Sequence, residues 1–310
     1  MTGAAIPQQQ RAEATLARLQ YVITRRLDGL LQGDYLGLLP GPGSEAGESR
    51  EYRAGDDVRR MDWPVTARTT VPHVRESIAD RELEAWLAVD LSASLDFGTA
   101  QYLKRDLAIA AAAAVTHLTV RGGNRVGAIV ADGAGLRRMP ARAGRRAASG
   151  LLRAVARTVP ARGRTDLGAL VEALSRPPRR RGLAVVISDF LAPPQQWARP
   201  MRRVAVRHEV LAVEIVDPRE LELADVGVLV VADAETGELH EVQTSDRGLR
   251  ERYAAAAARE REAVAAAVRA AGAAHLRLRT DSDWLLDIVR FVAAARHART
   301  RGTARIGSVR

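Results

Sequence analysis

Three segments of the chain carry side chains of the types that bind a hard divalent cation. Residues 90–94 read Asp-Leu-Ser-Ala-Ser and directly follow an apolar run of strand length. Thr165 precedes a helical stretch, and Asp189 follows another apolar run. If the apolar runs are neighbouring parallel strands, their carboxyl ends share one edge of a sheet, which is where such sheets bind ligands. We therefore expect five side chains to converge there: Asp90, Ser92, Ser94, Thr165 and Asp189.

The chemistry that this set favours is the binding of Mg²⁺, with Mn²⁺ or Ca²⁺ as other candidates. Mg²⁺ prefers oxygen ligands in octahedral geometry and keeps some of its water. Ser92 and Ser94 can face one ion from a tight loop, and Thr165 can add a third hydroxyl. Asp90 and Asp189 supply negative charge, directly or through water. An ion with few direct carboxylates stays electrophilic, so it can accept a carboxylate from another protein.

Two of these residues also have a structural interpretation. Asp90 could be a helix-capping carboxylate at the end of a strand, and Thr165 could cap a helix that begins at Asp166, since threonine is a good N-cap residue. The convergence of separate loops on one sheet edge favours the metal site. Asp166, in the first turn of that helix, is expected to be structural.

A second cluster of charges, at residues 56–60, has a catalytic and a structural interpretation. The paired carboxylates Asp56 and Asp57 could perform acid–base chemistry. No nucleophile or histidine accompanies them, so we predict a turn held by local ion pairs, with Tyr52 and Trp63 as packing anchors. No catalytic residue is assigned in the chain.

The elements that position the five side chains alternate along the chain from residue 83 onward. Apolar runs predict strands at 84–90, 125–131, 183–188, 208–216, 227–232 and 274–279. Helical spacing predicts helices near 99–120, 143–158, 166–176, 194–204, 246–272 and 282–297. Continuous apolar strands suit a parallel sheet that is covered on both faces. The sequence therefore predicts a doubly wound, mostly parallel α/β fold.

The predicted organisation has four parts. Residues 1–43 form an amino-terminal helix, over 11–32, followed by a loop. Residues 44–82 form a charged segment that packs on the main domain. Residues 83–298 form the α/β domain, and residues 299–310 form a frayed basic tail.

Composition limits the possible functions. The chain has no cysteine, which excludes disulfides, thiolate metal sites and cysteine nucleophiles. The net charge is +10, but aromatic residues make up only 4%, so nucleic-acid binding is not favoured. No secretory signal and no apolar run of about 20 residues is seen. We expect a cytoplasmic protein without a membrane span.

The order of the metal-site residues resembles a known family. Asp-x-Ser-x-Ser after a first strand, a later Thr and an Asp after another buried strand resemble the metal-ion-dependent adhesion site of von Willebrand factor A domains. The loop at 163–167, Gly-Arg-Thr-Asp-Leu, is similar to that family's Gly-Gly-Thr-Asp-Leu, with Arg164 in place of a glycine. The resemblance implies a metal site built from the same five residues.

A segment upstream of the α/β domain resembles a bacterial family. Residues 51–63 contain Tyr-x-x-Gly-Asp-Asp-x-Arg-x-x-Asp-Trp, which is similar to the hallmark of the domain-of-unknown-function-58 (DUF58) family. In that family the hallmark precedes an A-type domain, as here. The resemblance implies association with MoxR-type AAA+ ATPases in assembling or remodelling other proteins.

These observations lead to a non-enzymatic, metal-dependent protein-binding module as the first hypothesis. Its expected partners are a MoxR-type ATPase and a client protein that offers a carboxylate. A metal-dependent hydrolase that uses the same site is an alternative, although no convincing general base is found. An arginine-rich nucleic-acid-binding protein is a further alternative.

Overall fold

The computed structural model describes most of the α/β region and parts of the segment before it. The described residues are 23, 49–53, 56, 58, 61–75, 83–161, 165–176, 182–232 and 238–306. The predicted helix at 11–32, apart from residue 23, and the predicted loop that follows it lie outside these residues, as do Asp57 and the Gly163-Arg164 dipeptide. No helix among the described residues is long and apolar enough to cross a membrane.

Ten strands and seven α-helices are assigned within the described residues. The strands are β1 (Ser49–Glu51), β2 (His73–Arg75), β3 (Glu84–Asp90), β4 (Arg125–Ala131), β5 (Leu136–Arg142), β6 (Gly182–Ser188), β7 (Glu209–Val216), β8 (Val228–Ala232), β9 (Leu239–Gln243) and β10 (Ala274–Arg279). The helices are α1 (Trp63–Thr69), α2 (Lys104–Arg121), α3 (Arg145–Ala156), α4 (Leu167–Glu172), α5 (Pro194–Ala205), α6 (Arg247–Ala270) and α7 (Trp284–Ile306).

Six of the strands form a central sheet in the order β10-β7-β6-β3-β4-β5. Five of them are parallel, and β5 pairs antiparallel with β4 at one edge. Every residue of β3 is buried, because this strand has neighbours on both sides and helices on both faces. The predicted mostly parallel α/β sheet is confirmed.

Alternate residues of the central strands feed two separate cores. Leu87 and Val89 of β3 pack in a cluster with α2, α3 and α7. Trp86 and Ala88 of the same strand face the other way, into a cluster with α4, α5 and α6. Since strand side chains alternate between faces, a strand that is apolar on both faces needs helices on both, which is the doubly wound arrangement.

Two strands lie differently from the prediction. The apolar run predicted as a strand at 227–232 does form β8, but β8 pairs only with β9, in an antiparallel hairpin outside the central sheet. Val228 and Val230 are 61% and 55% exposed, so this run is apolar without being buried. The edge strand β5 was not predicted, because three of its seven residues are arginines, which interrupt the apolar run that indicates a strand.

Two further differences concern the ends of the described chain. Helix α7 continues to Ile306, so the predicted boundary at residue 299 falls inside a helix. Arginine and alanine, which dominate its end, are good helix formers.

Near the start of the described chain, β1 and β2 pair antiparallel on either side of α1 in the sequence. The prediction that Trp63 is a packing anchor is wrong, because this residue is 66% exposed. The buried group is the neighbouring Asp62, which caps α1.

Candidate metal centre

The first predicted loop lies at the carboxyl edge of the central sheet. Asp90 is the last residue of β3, and its Oδ1 accepts a hydrogen bond from the amide of Ser92 at 3.1 Å. A single 3₁₀ turn, Ala93–Leu95, follows. This turn brings the hydroxyl oxygens of Ser92 and Ser94 within 3.2 Å of each other. The loop therefore presents one carboxylate and two adjacent hydroxyls.

The third predicted segment meets the first one directly. Asp189 follows β6, and its Oδ2 accepts a hydrogen bond from Ser94 Oγ at 2.8 Å. The next residue, Phe190, has a φ of 52°, in the left-handed region that non-glycine residues seldom occupy. Its buried ring packs edge-to-face on Trp197, with ring centroids 5.1 Å apart. This packing holds the sharp turn that directs Asp189 toward the serines.

A serine that is not among the five predicted residues is hydrogen-bonded to the carboxylate of Asp90. Ser188, the last residue of β6, donates from Oγ to Asp90 Oδ2 at 3.0 Å and accepts from the amide of Phe190 at 3.2 Å. Burial raises the pKa of Asp90 to about 6, and the nearby charge of Asp189 adds to the rise. The hydrogen bonds from Ser92 and Ser188 oppose it. The two carboxylates thus repel each other in a buried place.

Thr165 stands in the chain between Ala161, which lies at the same edge, and the N-cap of α4. The amide of Ala161 donates to the carbonyl of Asp132 at 2.7 Å, and Asp132 directly follows β4, so Ala161 lies at that end of the sheet. The N-cap of α4 is Asp166, whose side chain accepts from the amide of Ala169 at 2.8 Å. Thr165 is therefore not the cap. Its hydroxyl is buried and has no hydrogen-bond partner among the described residues.

A lysine and a glutamate that were not predicted as site residues also lie here. Lys104, the first residue of α2, is 1% exposed, and its Nζ lies 2.9 Å from Asp189 Oδ2 and 2.5 Å from Glu220 Oε1. Burial lowers the pKa of Lys104, but the charges of Asp189 and Glu220 outweigh it and raise that pKa above its ordinary value. The signal available in the sequence was that Lys104 is the only lysine among 47 basic residues.

A buried ion-pair network supports the backbone of the Asp189 turn. Arg261 of α6 donates from Nη1 to the carbonyl of Asp189 at 2.9 Å and to Glu214 Oε1 at 3.0 Å. Glu214 is fully buried in β7 and also accepts from His275 and Arg277 of β10. Asp189 is thereby held through both its side chain and its carbonyl.

The donor set fits a hard cation better than a transition metal. Among the described residues, no group of three or more His, Cys, Asp and Glu is placed to hold an ion. The candidate set consists instead of three hydroxyls and two carboxylates. Neighbouring ligands of an octahedral Mg²⁺ ion at about 2.1 Å lie about 3 Å apart, and the serine oxygens are 3.2 Å apart. Within the described residues, the Thr165 hydroxyl is one of four buried side-chain polar atoms without a hydrogen-bond partner, together with those of Thr116, Ser175 and His208.

Exposed apolar side chains lie on loops and strand ends at the same sheet edge. Phe97 and Leu191 follow the Ser94 and Asp189 segments and are 39% and 50% exposed. Leu136, at the start of β5, pairs with Ala131 at the end of β4, and Val159 is on the loop toward Thr165.

Comparison with known proteins matches most of the α/β region to one family. The model of the family described as "Protein of unknown function DUF58" matches residues 48–263, which include all five predicted metal-site residues. An uncharacterized protein of Mycobacterium tuberculosis is 58% identical over 291 residues, covering 93% of this chain and 91% of the relative. An uncharacterized protein of Mycobacterium avium is 50% identical over 167 residues, covering 53% of this chain and 98% of the relative.

Two solved structures are similar at low sequence identity. A conserved hypothetical protein, BatB from Bacteroides thetaiotaomicron, gives a TM-score of 0.44 and 14% identity, covering 68% of this chain and 98% of that chain. The SpRpn10 VWA domain gives a TM-score of 0.40 and 12% identity, covering 67% of this chain and 93% of that chain.

Proposed function

The chain belongs to the DUF58 family of proteins of unknown function, and we propose that it is a non-enzymatic module that binds a partner protein through a divalent cation. The cation is Mg²⁺, with Mn²⁺ or Ca²⁺ as substitutes. Ser92, Ser94 and Thr165 supply hydroxyl ligands, and Asp90 and Asp189 supply charge, directly or through water. A carboxylate of the partner completes the shell.

The observation that carries this proposal is the buried hydroxyl of Thr165. A buried polar atom without a hydrogen bond costs about 1–3 kcal/mol, so native proteins rarely keep one without a role. Thr165 Oγ1 is such an atom. It belongs to the loop predicted to face Ser92 and Ser94. A cation that accepts this oxygen as a ligand removes the cost.

Charge supports the same proposal. Asp90 and Asp189 are buried at 4% and 3% exposure, and the charge of Asp189 adds to the cost of ionising Asp90. A divalent cation between the loops offsets that repulsion. The apolar side chains of Phe97 and Leu191 beside the centre supply contact area for a partner. The ion fixes where the partner binds, and these side chains add affinity.

The partner proposed from the family resemblance is a MoxR-type AAA+ ATPase that acts with this chain on a client protein. We propose a cytoplasmic location on the same basis. A pull-down from the native host with and without EDTA tests the partnership. Retention of the ATPase that is equal under both conditions contradicts metal-dependent binding.

Titration calorimetry with Mg²⁺ tests the cation site itself. Thr165→Val removes the partnerless hydroxyl and should weaken cation binding at least about tenfold, as expected when one of few ligands is lost. Thr280→Val is the matched control, because Thr280 is also a buried hydroxyl at this sheet edge, but it donates to Asp217 at 2.7 Å. Thr280→Val should leave cation affinity unchanged.

Two outcomes contradict the proposal. Equal Mg²⁺ binding by wild type and Thr165→Val removes the cation site as assigned. Turnover of phosphoester or peptide substrates that disappears in Asp189→Ala favours the hydrolase alternative instead.

A further inference from the structure

The lone lysine of the chain occupies the candidate cation centre. Its ammonium group is shared by two carboxylates, Asp189 at 2.9 Å and Glu220 at 2.5 Å, and the side chain is almost completely buried. The Phe97 ring lies 5.9 Å from the ammonium on another side. Every other basic residue of the chain is arginine or histidine. The ammonium of lysine is a compact point charge with three donors, whereas the guanidinium of arginine is a planar fork.

The two carboxylates that hold Lys104 differ in what else they do. Asp189 is one of the five proposed cation-site residues. Glu220 is not one of them, and it is fixed from its other side, because its Oε2 accepts from the amide of Asp217 at 3.0 Å. The 3₁₀ turn Pro218–Glu220 and its capping box keep Glu220 in this place. Lys104 thus joins a proposed cation-site residue to a fixed acceptor that stands outside the set.

Lys104 and a cation would compete for the same oxygen. Asp189 Oδ2 already accepts from Ser94 Oγ at 2.8 Å and from Lys104 Nζ at 2.9 Å. A divalent ion near Ser94 needs that negative charge and is repelled by the ammonium. At buried or partly buried distances of a few ångströms, such a repulsion is worth more than a tenfold change in affinity.

We propose that Lys104 competes with the divalent cation for Asp189. In the cation-free site the ammonium neutralises Asp189, and when the cation binds the ammonium pairs with Glu220 alone. This inference rests on the proposed function. The affinity for the cation then depends on the relative strength of the Lys104–Asp189 and Lys104–Glu220 ion pairs. A partner carboxylate that joins the shell adds to the attraction for the cation and so helps it to outweigh the lysine.

The test is titration of Mg²⁺, and separately Mn²⁺, into the full chain at constant pH and low ionic strength. Lys104→Met removes the competitor and should tighten cation binding at least about tenfold. Glu220→Gln removes the charge that draws Lys104 away from Asp189 and should weaken binding at least about threefold. Glu222→Gln makes the same charge change two residues away at an exposed position and should leave affinity unchanged. Circular dichroism confirms that each variant is folded.

The outcomes separate the inference from the proposed function. Cation binding by wild type that is the same in Lys104→Met and Glu220→Gln overturns the role of Lys104 and leaves the cation site standing. Binding by Lys104→Met alone, with none by wild type, supports the inference. If neither wild type nor Lys104→Met binds a cation, the proposed function fails and the inference fails with it. If Lys104→Met does not fold, equal affinities of Glu220→Gln and Glu222→Gln overturn the inference.

Discussion

Replacing Asp90 with asparagine should stabilise the cation-free protein, although it removes a proposed cation-site residue. Asp90 is 4% exposed and lies near the carboxylate of Asp189. The amide oxygen of an Asp90→Asn variant can still accept from the amide of Ser92. Its NH₂ group can donate to Ser188 Oγ, which in wild type is the donor to Asp90. The substitution therefore removes a buried charge and keeps most of its contacts.

The magnitude follows from the pKa of Asp90, which is raised from 3.8 to about 6. The folded state holds this proton more tightly than the unfolded state, so the contribution of Asp90 to stability is full at low pH. It is lost as the pH rises through the window between the two values. A rise of this size corresponds to about 3 kcal/mol at neutral pH. Because Ser188 must reorient, we expect Asp90→Asn to add about 1–3 kcal/mol.

The assay is urea unfolding of wild type and Asp90→Asn in EDTA, at several values between about pH 5 and pH 8. Other groups that titrate in this range are common to both proteins, so those that do not interact with Asp90 cancel in the difference. The difference in the free energy of unfolding should grow as the pH rises to about 6–7 and then level off. In excess Mg²⁺, wild type should gain stability, and the variant should gain less.

Asp217→Asn is the matched control, with the opposite expected sign. Asp217 is also fully buried at this sheet edge, but its oxygens accept from the amide and hydroxyl of Thr99, the hydroxyl of Thr280 and the amide of Arg219 at 2.6–2.9 Å. Burial raises the pKa of Asp217, but these hydrogen bonds outweigh it and lower that pKa. The stability it provides is present at neutral pH and lost in acid. Asp217→Asn should therefore destabilise the protein at neutral pH by about 1–3 kcal/mol.

The reasoning is refuted if Asp90→Asn is no more stable than wild type in EDTA at neutral pH while remaining folded. A gain that is the same at every pH would also contradict it, because the gain would then not come from removing a carboxylate charge.

Three further substitutions give predictions for stability. Arg261→Met removes one cationic partner of the buried Glu214 carboxylate. It should lower the free energy of unfolding, measured in urea, by about 3 kcal/mol. By contrast, Arg269→Ala removes an exposed pair with Glu262 and should cost less than about 1 kcal/mol. Thr165→Val should leave the stability in EDTA unchanged or raise it by about 1 kcal/mol, since the hydroxyl has no hydrogen bond to lose. A clear loss in Thr165→Val would show that the hydroxyl does have a partner in the cation-free protein.

Most of the sheet could be predicted because its strands are apolar on both faces. The runs at 84–90 and 125–131 match β3 and β4, and 274–279 matches β10. The edge strand β5 was missed, because five of its seven residues are exposed and three of these five are arginines. The run at 227–232 shows the converse error. Apolarity predicted a strand there correctly, but it could not show that the strand lies outside the central sheet.

Only those residues of the candidate site that follow the order of the motif along the chain could be predicted. Asp90, Ser92 and Ser94 are close in sequence, and the strand pattern places Asp189 at the same edge. Lys104 could not be placed this way, because it meets Asp189 from 85 residues away and Glu220 from 116 residues away. No periodic pattern encodes where the first side chain of a helix reaches.

The two carboxylates of the centre differ in how far their charge is neutralised, and this difference decides where a cation would be stabilised most. Asp189 has the ammonium of Lys104 beside it, whereas Asp90 has hydrogen bonds but no positive partner among the causes that set its pKa. The uncompensated charge therefore lies on the side of Asp90 and the two serines, away from Glu220. A cation that enters there gains from Asp90 and competes with Lys104 for Asp189. Asp90→Asn removes the uncompensated negative charge, and Lys104→Met removes the positive charge that competes with the cation. If the site is one electrostatic unit, Asp90→Asn is more stable than wild type and Lys104→Met binds the cation more tightly than wild type.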